Sequence, residues 1–257
     1  MLTGKAAIIT GSTSGIGEAA AYKLAGLGAK VLVTGRDQER GTKVVAEIDR
    51  SGGEALFVKA DLSDPAAPAE LVRSALDAWG RLDIVVNNAA LVCSKPLADV
   101  THQDWDRLFA VNVKAGFFLI QAALPHLRGV QGAVVNVSSI NGLINDRDNL
   151  VYDTMKAALN HMTRGLALEL RKEGVRFNAL LPAGVATPLI EQWLQQRTGD
   201  AEAARLAAER VYVDPQIGKP EQIASAIAFL VSPEASWVNG AIIPIEGGFT
   251  LGNFRDS

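Results

Sequence analysis

The segment Tyr152-Asp153-Thr154-Met155-Lys156 sets a phenol and an ammonium four residues apart, on one face of a helix and one turn from each other. An ammonium held near a phenol favours the phenolate, which brings proton exchange by a group of free pKa about 10 toward neutral pH. Far upstream, Thr10-Gly11-Ser12-Thr13-Ser14-Gly15-Ile16-Gly17 follows an apolar run and opens a helical pattern. A glycine turn at such a junction is where a dinucleotide pyrophosphate binds, since backbone N–H groups and the helix dipole favour it. Together the two segments predict proton transfer beside a nicotinamide.

Holding these groups together takes strands alternating with helices, and the pattern supplies them. Apolar runs at 6–10, 30–34, 55–60, 84–87 and 133–138 read as strands, with later ones at 175–181 and 241–245. Helical patterns fall at 16–27 before Gly28, at 37–50, up to Trp79, and at 103–127, 151–171 and 221–231. Asp37 is placed to cap the second of these, and Ser51-Gly52-Gly53 ends it. Asp64-Pro65 offers a cap and first-turn proline for the helix ending at Trp79, and Pro125 is tolerated near a helix end or bends it.

Strands apolar on both faces and separated by helices indicate a parallel sheet covered on both sides. Right-handed crossovers then favour a doubly wound α/β arrangement. With no internal repeat, low-complexity tract or linker, residues 1–257 read as one dinucleotide-binding and catalytic domain. The weakly organised region 188–218, rich in Gln, Ala and Arg, contains a helix at about 201–210, and its flanks could form a movable cover.

Composition excludes several other functions. A formal net charge of −3 with scattered Lys and Arg gives no electrostatic case for nucleic acid or an anionic membrane. Cys93 is the single cysteine, which rules out an intrachain disulfide and a Cys-rich zinc site; His102, His126 and His161 lack metal-ligand spacing. No apolar stretch approaches the ~20 residues of a membrane span, and the N-terminus runs straight into a strand pattern, so a cytoplasmic protein is expected.

Several residues stand where a cofactor or substrate would. Gly11, Gly15 and Gly17 suit a tight turn, close backbone approach and close helix–sheet contact. The second strand ends in Thr34-Gly35-Arg36 rather than in an acid: arginine can pair with a ribose phosphate, whereas Gly35 cannot hold a ribose diol. NADP(H) is therefore favoured. Asp61 could accept from the adenine amine or cap the following turn, and the side-chain amides of Asn87-Asn88 can tie neighbouring strands together or meet the cofactor, with structural work favoured for Asn87. Ser139 closes the fifth strand on the edge where open sheets bind ligands, thirteen residues before Tyr152, and its hydroxyl could hydrogen-bond a substrate carbonyl. A Ser-His-Asp hydrolase is disfavoured, since there is no Gly-x-Ser-x-Gly elbow.

At this point the chain resembles the short-chain dehydrogenase/reductase family, in particular its single-domain members of about 250 residues. The resemblance spans nearly the whole chain. It rests on Thr10-Gly-x-x-x-Gly-Ile-Gly17, Asn87-Asn-Ala-Ala90, Asn112 within Val-Asn-Val, Ser139, Tyr152-x-x-x-Lys156 and Pro182. The later segments Gly218-Lys-Pro-Glu-Gln-Ile-Ala224, Asn239-Gly240 and Glu246-Gly-Gly248 agree with it. It implies a Rossmann-like three-layer fold around a parallel sheet of about seven strands. It also implies that Tyr152 acts as general acid in reduction and general base in oxidation. Lys156 binds the nicotinamide ribose and lowers the tyrosine pKa, Ser139 polarises the carbonyl, and Asn112 holds a water linking Lys156 to solvent.

Motif and resemblance together give the cofactor set Gly11, Ser14, Gly15, Ile16, Gly17, Arg36, Asp61, Leu62, Asn88, Ala89, Tyr152, Lys156, Pro182, Val185 and Thr187. Three departures from the family pattern matter. Pro182-Ala183-Gly184 places a methyl near the nicotinamide face, and Ala90 replaces a common glycine. Ser14 stands where many NADP-dependent members carry Arg or Lys, which keeps NAD(H) as the alternative.

The resemblance places Val92, Cys93, Ile140, Asn141, Val151, Leu189 and Trp193 around the substrate, a mostly apolar set. Asp146-Arg147-Asp148-Asn149 reads as a charged surface loop, or as the pocket mouth. The expected activity is an NAD(P)-dependent oxidoreductase interconverting a secondary alcohol and a ketone, with a small-molecule partner. One alternative is a carrier-bound 3-oxoacyl reductase, with Arg107, Lys114 and Arg128 as basic candidates; the other is a nucleotide-sensing protein without turnover. A homotetramer, or failing that a dimer, is expected from apolar Phe117, Phe118, Leu166 and Leu170 on the long helices.

Overall fold

The computed structural model describes residues 2–213 and 217–251. Residues 1 and 252–257, and residues 214–216 of the expected cover, lie outside the described residues. Seven strands, β1 (Ala6–Ile9), β2 (Lys30–Gly35), β3 (Glu54–Lys59), β4 (Ile84–Asn87), β5 (Ala133–Val137), β6 (Arg176–Pro182) and β7 (Ile242–Ile245), form one sheet. All pairings are parallel, in the order β3-β2-β1-β4-β5-β6-β7. The expected doubly wound sheet is thus present. Pro244, which cannot donate to a ladder, sits in the edge strand β7, where this costs little.

Alternating side chains send each strand into two cores. Ala7 and Ile9 of β1 join a cluster with α1 (Gly15–Gly26), α2 (Gln38–Arg50) and α9 (Pro220–Val231). Ile8 joins the opposite cluster with α3 (Ala67–Trp79), α5 (Ala115–Arg128) and α6 (Leu150–Glu169). The helix carrying Tyr152 is tied to the sheet by a buried polar chain. Asn87 Nδ2 donates to Asn136 Oδ1 at 2.9 Å, and Asn136 Nδ2 donates to Thr163 Oγ1 of α6 at 2.8 Å. Asn87 therefore does the strand-tying work read from the sequence.

Four elements differ from expectation. The Asp64-Pro65 cap does not start α3; Asp64 Oδ1 accepts from Ala66 N at 2.9 Å in a preceding turn, and Pro68 takes the first-turn place. The 103–127 helix is interrupted: α4 (His102–Phe109) passes through a π-helical turn, Ala110–Lys114, before α5. This whole 27-residue helix is long and apolar enough to cross a membrane, contrary to the sequence expectation. Its Leu119, Ile120, Ala123 and Leu127 are nonetheless buried in the core, which accounts for its hydropathy. The 188–218 region is better organised than its composition predicts, forming α7 (Pro188–Thr198) and α8 (Ala201–Val213). Finally, Leu170 is buried and Leu166 packs on the core, so neither remains as surplus apolar surface, whereas Phe117, Phe118 and Leu168 are exposed.

Asn136→Ala should test the polar chain under α6. It leaves the Asn87 amide only a long bond to Gly116 O and takes a donor from the Thr163 hydroxyl, which keeps Leu159 O, so urea unfolding should show a loss of about 1 kcal/mol.

Candidate active site

The sheet order reverses direction at β1 and β4, and a cleft of about 450 Å³ opens at their carboxyl ends. Its floor is stitched by buried hydroxyls. Thr10 Oγ1 accepts from Asn88 N at 2.9 Å and Ala89 N at 3.1 Å, while Asn88 Nδ2 donates to Thr10 O and Gly11 O. Ser12, fully buried, accepts from Thr34 N at 2.9 Å and so joins the turn to β2. A methyl at Gly17 would lie 2.4 Å from Gly11 O, and one at Gly11 2.9 Å from Ala89 Cα. Glycine is required there because two backbones touch.

At the mouth, α1 begins at Ser14 without a side-chain cap, so its first N–H groups are left for another acceptor. Gly11, Ser14, Gly15, Ile16, Asn88, Ala89 and Thr187 line the cleft, as expected. An uncapped helix start beside a turn bounded by Gly11 and Gly15 fits a pyrophosphate. Val185 is buried and bridges to Gly218, Pro182 is buried at the end of β6, and Gly17 lies behind the turn. None of these three lines the cleft.

The far end of the cleft is cationic. Arg36, Arg40 and Arg107 line it together with Asp37, Asp61 and Leu62. Gly35 offers no carboxylate at the end of β2, and a Cβ there would meet the Thr13 side chain at 2.7 Å. Asp37 is already committed, its Oδ1 accepting from Arg40 N at 3.0 Å as the cap of α2 and its Oδ2 lying 3.4 Å from Arg40. Asp61 Oδ1 accepts from both Ser63 N and Ser63 Oγ; these bonds lower its pKa, with Arg36 and Arg107 adding to the effect. The turn-capping reading of Asp61 is therefore realised on the cleft wall. Arg107 faces this end, and Arg128 is paired with Glu173, so the basic residues considered for a carrier do not form one patch.

The residues expected to handle a proton lie near the end of β5. Tyr152 and Lys156 are buried on α6, with Lys156 Nζ 5.4 Å from the centre of the Tyr152 ring. Burial pushes the Tyr152 phenol well above its ordinary value; hydrogen bonding with Ser139 opposes the rise and Asp153 adds to it. Burial also lowers Lys156 to about 7, and its amine donates to Val137 O at 2.9 Å. The expected lowering of the phenol by the ammonium is thus not a property of the protein alone. Both groups are dry, and each is favoured in its neutral form.

Asn112 sits in the π-helical turn and is buried. Its Oδ1 accepts from Leu91 N at 2.8 Å and its Nδ2 donates to Leu91 O at 2.9 Å. Both ends of the amide therefore hold the loop after β4, and one N–H and one oxygen lone pair of the amide remain beyond these two bonds.

Cys93, Val151, Tyr152 and Met155 form one apolar cluster with Leu91 and Val92 packed against it. Burial raises the Cys93 thiol, as suits a packing residue rather than a nucleophile. Ala183, expected near the nicotinamide face, packs against the cluster of Ile140, Ala179 and Leu181.

Sequence reasoning missed the polar links among the surrounding loops. Gln196 of α7 accepts from Ser94 N at 2.8 Å and donates to Val92 O at 3.4 Å. Arg197 donates to Asp146 at 2.8 Å and lies 4.6 Å over the Trp193 ring. The 146–149 segment is thus no free surface loop, and Asn149 within it is 2% exposed. Among the described residues no cluster could hold a metal ion.

A dinucleotide cleft at a sheet switch point, with a tyrosine and a lysine one turn apart beside it, defines a nucleotide-dependent α/β protein. Residues 11–250 match the family model described as Enoyl-(Acyl carrier protein) reductase. The chain is 35% identical over 256 residues to the 2,5-dichloro-2,5-cyclohexadiene-1,4-diol dehydrogenase LinX of Sphingobium indicum, covering 98% of each chain. It is 34% identical over 247 residues to the cyclopentanol dehydrogenase of Comamonas testosteroni, covering 96% of this chain and 97% of the other. The crystal structure of levodione reductase matches with a TM-score of 0.91 at 31% identity, covering 98% of this chain and 100% of that one. The chain belongs to the short-chain dehydrogenase/reductase family.

Two outcomes follow from this geometry. Gly17→Ala should weaken dinucleotide binding about tenfold or more in a fluorescence titration, because its methyl forces the turn apart. Lys156 has a folded pKa near 7 against an ordinary 10.5, so above pH 7 the unfolded chain binds more protons and stability rises with pH. Urea midpoints at pH 7 and pH 8.5 should show this rise, on the order of 1 kcal/mol, in the wild type. Lys156→Met should abolish it.

Proposed function

We propose that this protein is an NAD(P)-dependent oxidoreductase that interconverts a secondary alcohol and a ketone, with Tyr152 as its general acid in reduction and general base in oxidation. The observation that carries the reading is the meeting of Tyr152, Lys156 and Ser139 at the carboxyl end of β5, beside the dinucleotide cleft. The cofactor, when bound, supplies the hydride. The turn residues Gly11, Ser14, Gly15, Ile16 and Gly17 hold its phosphates on the free N–H groups of α1, with Asn88, Ala89 and Thr187 opposite. Lys156 binds the nicotinamide ribose, and those hydroxyls give its amine polar partners beyond Val137 O. An ammonium re-formed there lowers the phenol toward a useful range. Ser139 donates to the carbonyl oxygen, and Asn112 acts by holding Leu91.

NADP(H) is the preferred cofactor in this reading. Gly35 lacks the acid that a ribose diol needs, Asp37 is spent on Arg40, and Arg36, which makes no hydrogen bond or ion pair among the described residues, lines that end to meet a phosphate. The apolar cluster of Val92, Cys93 and Val151 around Tyr152 selects a ketone with a hydrophobic part, in keeping with relatives named for cyclic alcohols and diols. The chain works as one domain, with α7 and α8 as the substrate cover. Exposed Phe117, Phe118 and Leu168 form the contact between copies in a homotetramer.

A screen of aliphatic, cyclic and aryl ketones, read by consumption of reduced cofactor, tests the activity. Tyr152→Phe should lower turnover at least a hundredfold while cofactor affinity holds. Turnover by that variant at the wild-type rate would refute the acid assignment. For the cofactor, Arg36→Ala should weaken NADPH about tenfold and leave NADH unchanged; an unaltered NADPH affinity removes the phosphate role.

A further inference from the structure

Asp153 follows Tyr152 directly yet is only 2% exposed. A carboxylate at that depth is costly unless its oxygens meet donors. Three donors serve it: Asn141 Nδ2 reaches Oδ1 at 2.8 Å, Asn149 Nδ2 reaches the same oxygen at 3.0 Å, and Asp146 N reaches Oδ2 at 2.9 Å. All three belong to the short segment between Ser139 and α6. Among the described residues, no cation forms an ion pair with Asp153. The group is therefore built into a loop rather than into a salt bridge.

An ionised carboxylate can only accept, so Asn141 must turn its amino end to Asp153. Its Oδ1 is then presented to Ser139 Oγ, 3.4 Å away, and its backbone N donates to the same Oγ at 3.2 Å. One residue thus holds the serine hydroxyl at two points, and Asp153 holds that residue.

We propose that Asp153 is a positioning residue for the reaction, which through Asn141 sets the direction of the Ser139 hydroxyl beside Tyr152. The Asn141 N–H occupies a lone pair of Ser139, so the proton is what the hydroxyl offers to a carbonyl oxygen. Asn141 Oδ1 and the Tyr152 oxygen are the acceptors within reach of that one proton at rest, and the substrate carbonyl takes their place. The same carboxylate fixes Asp146, which accepts from Arg197 of α7. Placement of Ser139 and anchoring of α7 therefore share one support. The inference rests on the carbonyl-polarising role given to Ser139 above.

Asp153→Asn keeps the side-chain shape but turns an acceptor into a donor facing other donors. It should lower kcat for a ketone about tenfold, the scale of a small misplacement, and leave the dissociation constant of reduced cofactor within about twofold. In a Ser139→Ala background the same substitution should change kcat less than about twofold, because the two residues act in one chain. Asn141→Ala, which leaves Asp153 two of its donors, should reproduce the loss and not multiply with it. Equal losses with and without Ser139→Ala, or wild-type kcat in Asp153→Asn, would overturn the proposal. Hydrogen exchange reads the geometry without turnover: Asp153→Asn should speed exchange of the Asn141 and Asp146 amides about tenfold and leave the core of α6 unchanged. Unchanged exchange at both amides overturns it as well. Wild-type protein inactive on every ketone, with faster exchange in the variant, would instead sink the alcohol–ketone reading, and with it the reaction that Asp153 is said to serve.

Discussion

Two loops leaving neighbouring strands have to come within backbone contact, and everything at the carboxyl edge of the sheet depends on that approach. Gly11 and Gly17 make room for it, and Thr10 with Asn88 locks it, each polar atom spent on the opposite loop. The approach aims the uncapped start of α1 into the cleft, where free N–H groups and the helix dipole favour an anion. It also carries the loop after β4 to Leu91, which the Asn112 amide then grips from the π-helical turn. A turn of that kind inside a long helix redirects one side chain without ending the helix, a common device at functional sites.

At the neighbouring edge, desolvation governs the chemistry. Tyr152 and Lys156 are buried side by side, and burial favours the neutral form of both. Neutral groups are cheap to bury, so the fold tolerates the pair. In the proposed reaction the arrangement leaves the proton equilibrium to be set by whatever polar or charged group arrives, which couples acid strength to the presence of cofactor. The polar chain from Asn87 through Asn136 to Thr163 keeps α6 in register with the sheet while this happens.

Around that edge lie three segments with no regular ladder between them, and polar side chains substitute for one. Gln196 joins α7 to the loop after β4, Arg197 joins it to Asp146, and Asp153 gathers the residues from 141 to 149. Function carried on loops needs such supports, since a reacting group must be held to within a fraction of an ångström. The exposed apolar side chains of α5 and α6, Phe117, Phe118 and Leu168, lie outside this system, and the edge-on packing of the two phenylalanines stays at the surface.

Much of this was legible from residue order. The alternation of apolar runs with helical patterns determined the strands, the glycine spacing marked the tight turn after β1, and Tyr152 with Lys156 pointed to the chemistry proposed. These are local properties, fixed by periods of two and 3.6 residues and by the absence of a side chain. The extra apolar surface read for Leu166 and Leu170 failed because a period does not say which stripe faces the core. The α3 cap read for Asp64-Pro65 failed because a turn and a helix start share the same residues. The tertiary structure alone decided that Asn112 is spent on Leu91, that Asp61 caps its own turn, and that Asp153 supports the serine loop. It also decided that burial, not the neighbouring amine, sets the state of Tyr152. Hydrogen-bond partners distant in the chain and the water excluded around a side chain arise only when the layers close, and no spacing of residues encodes them one at a time.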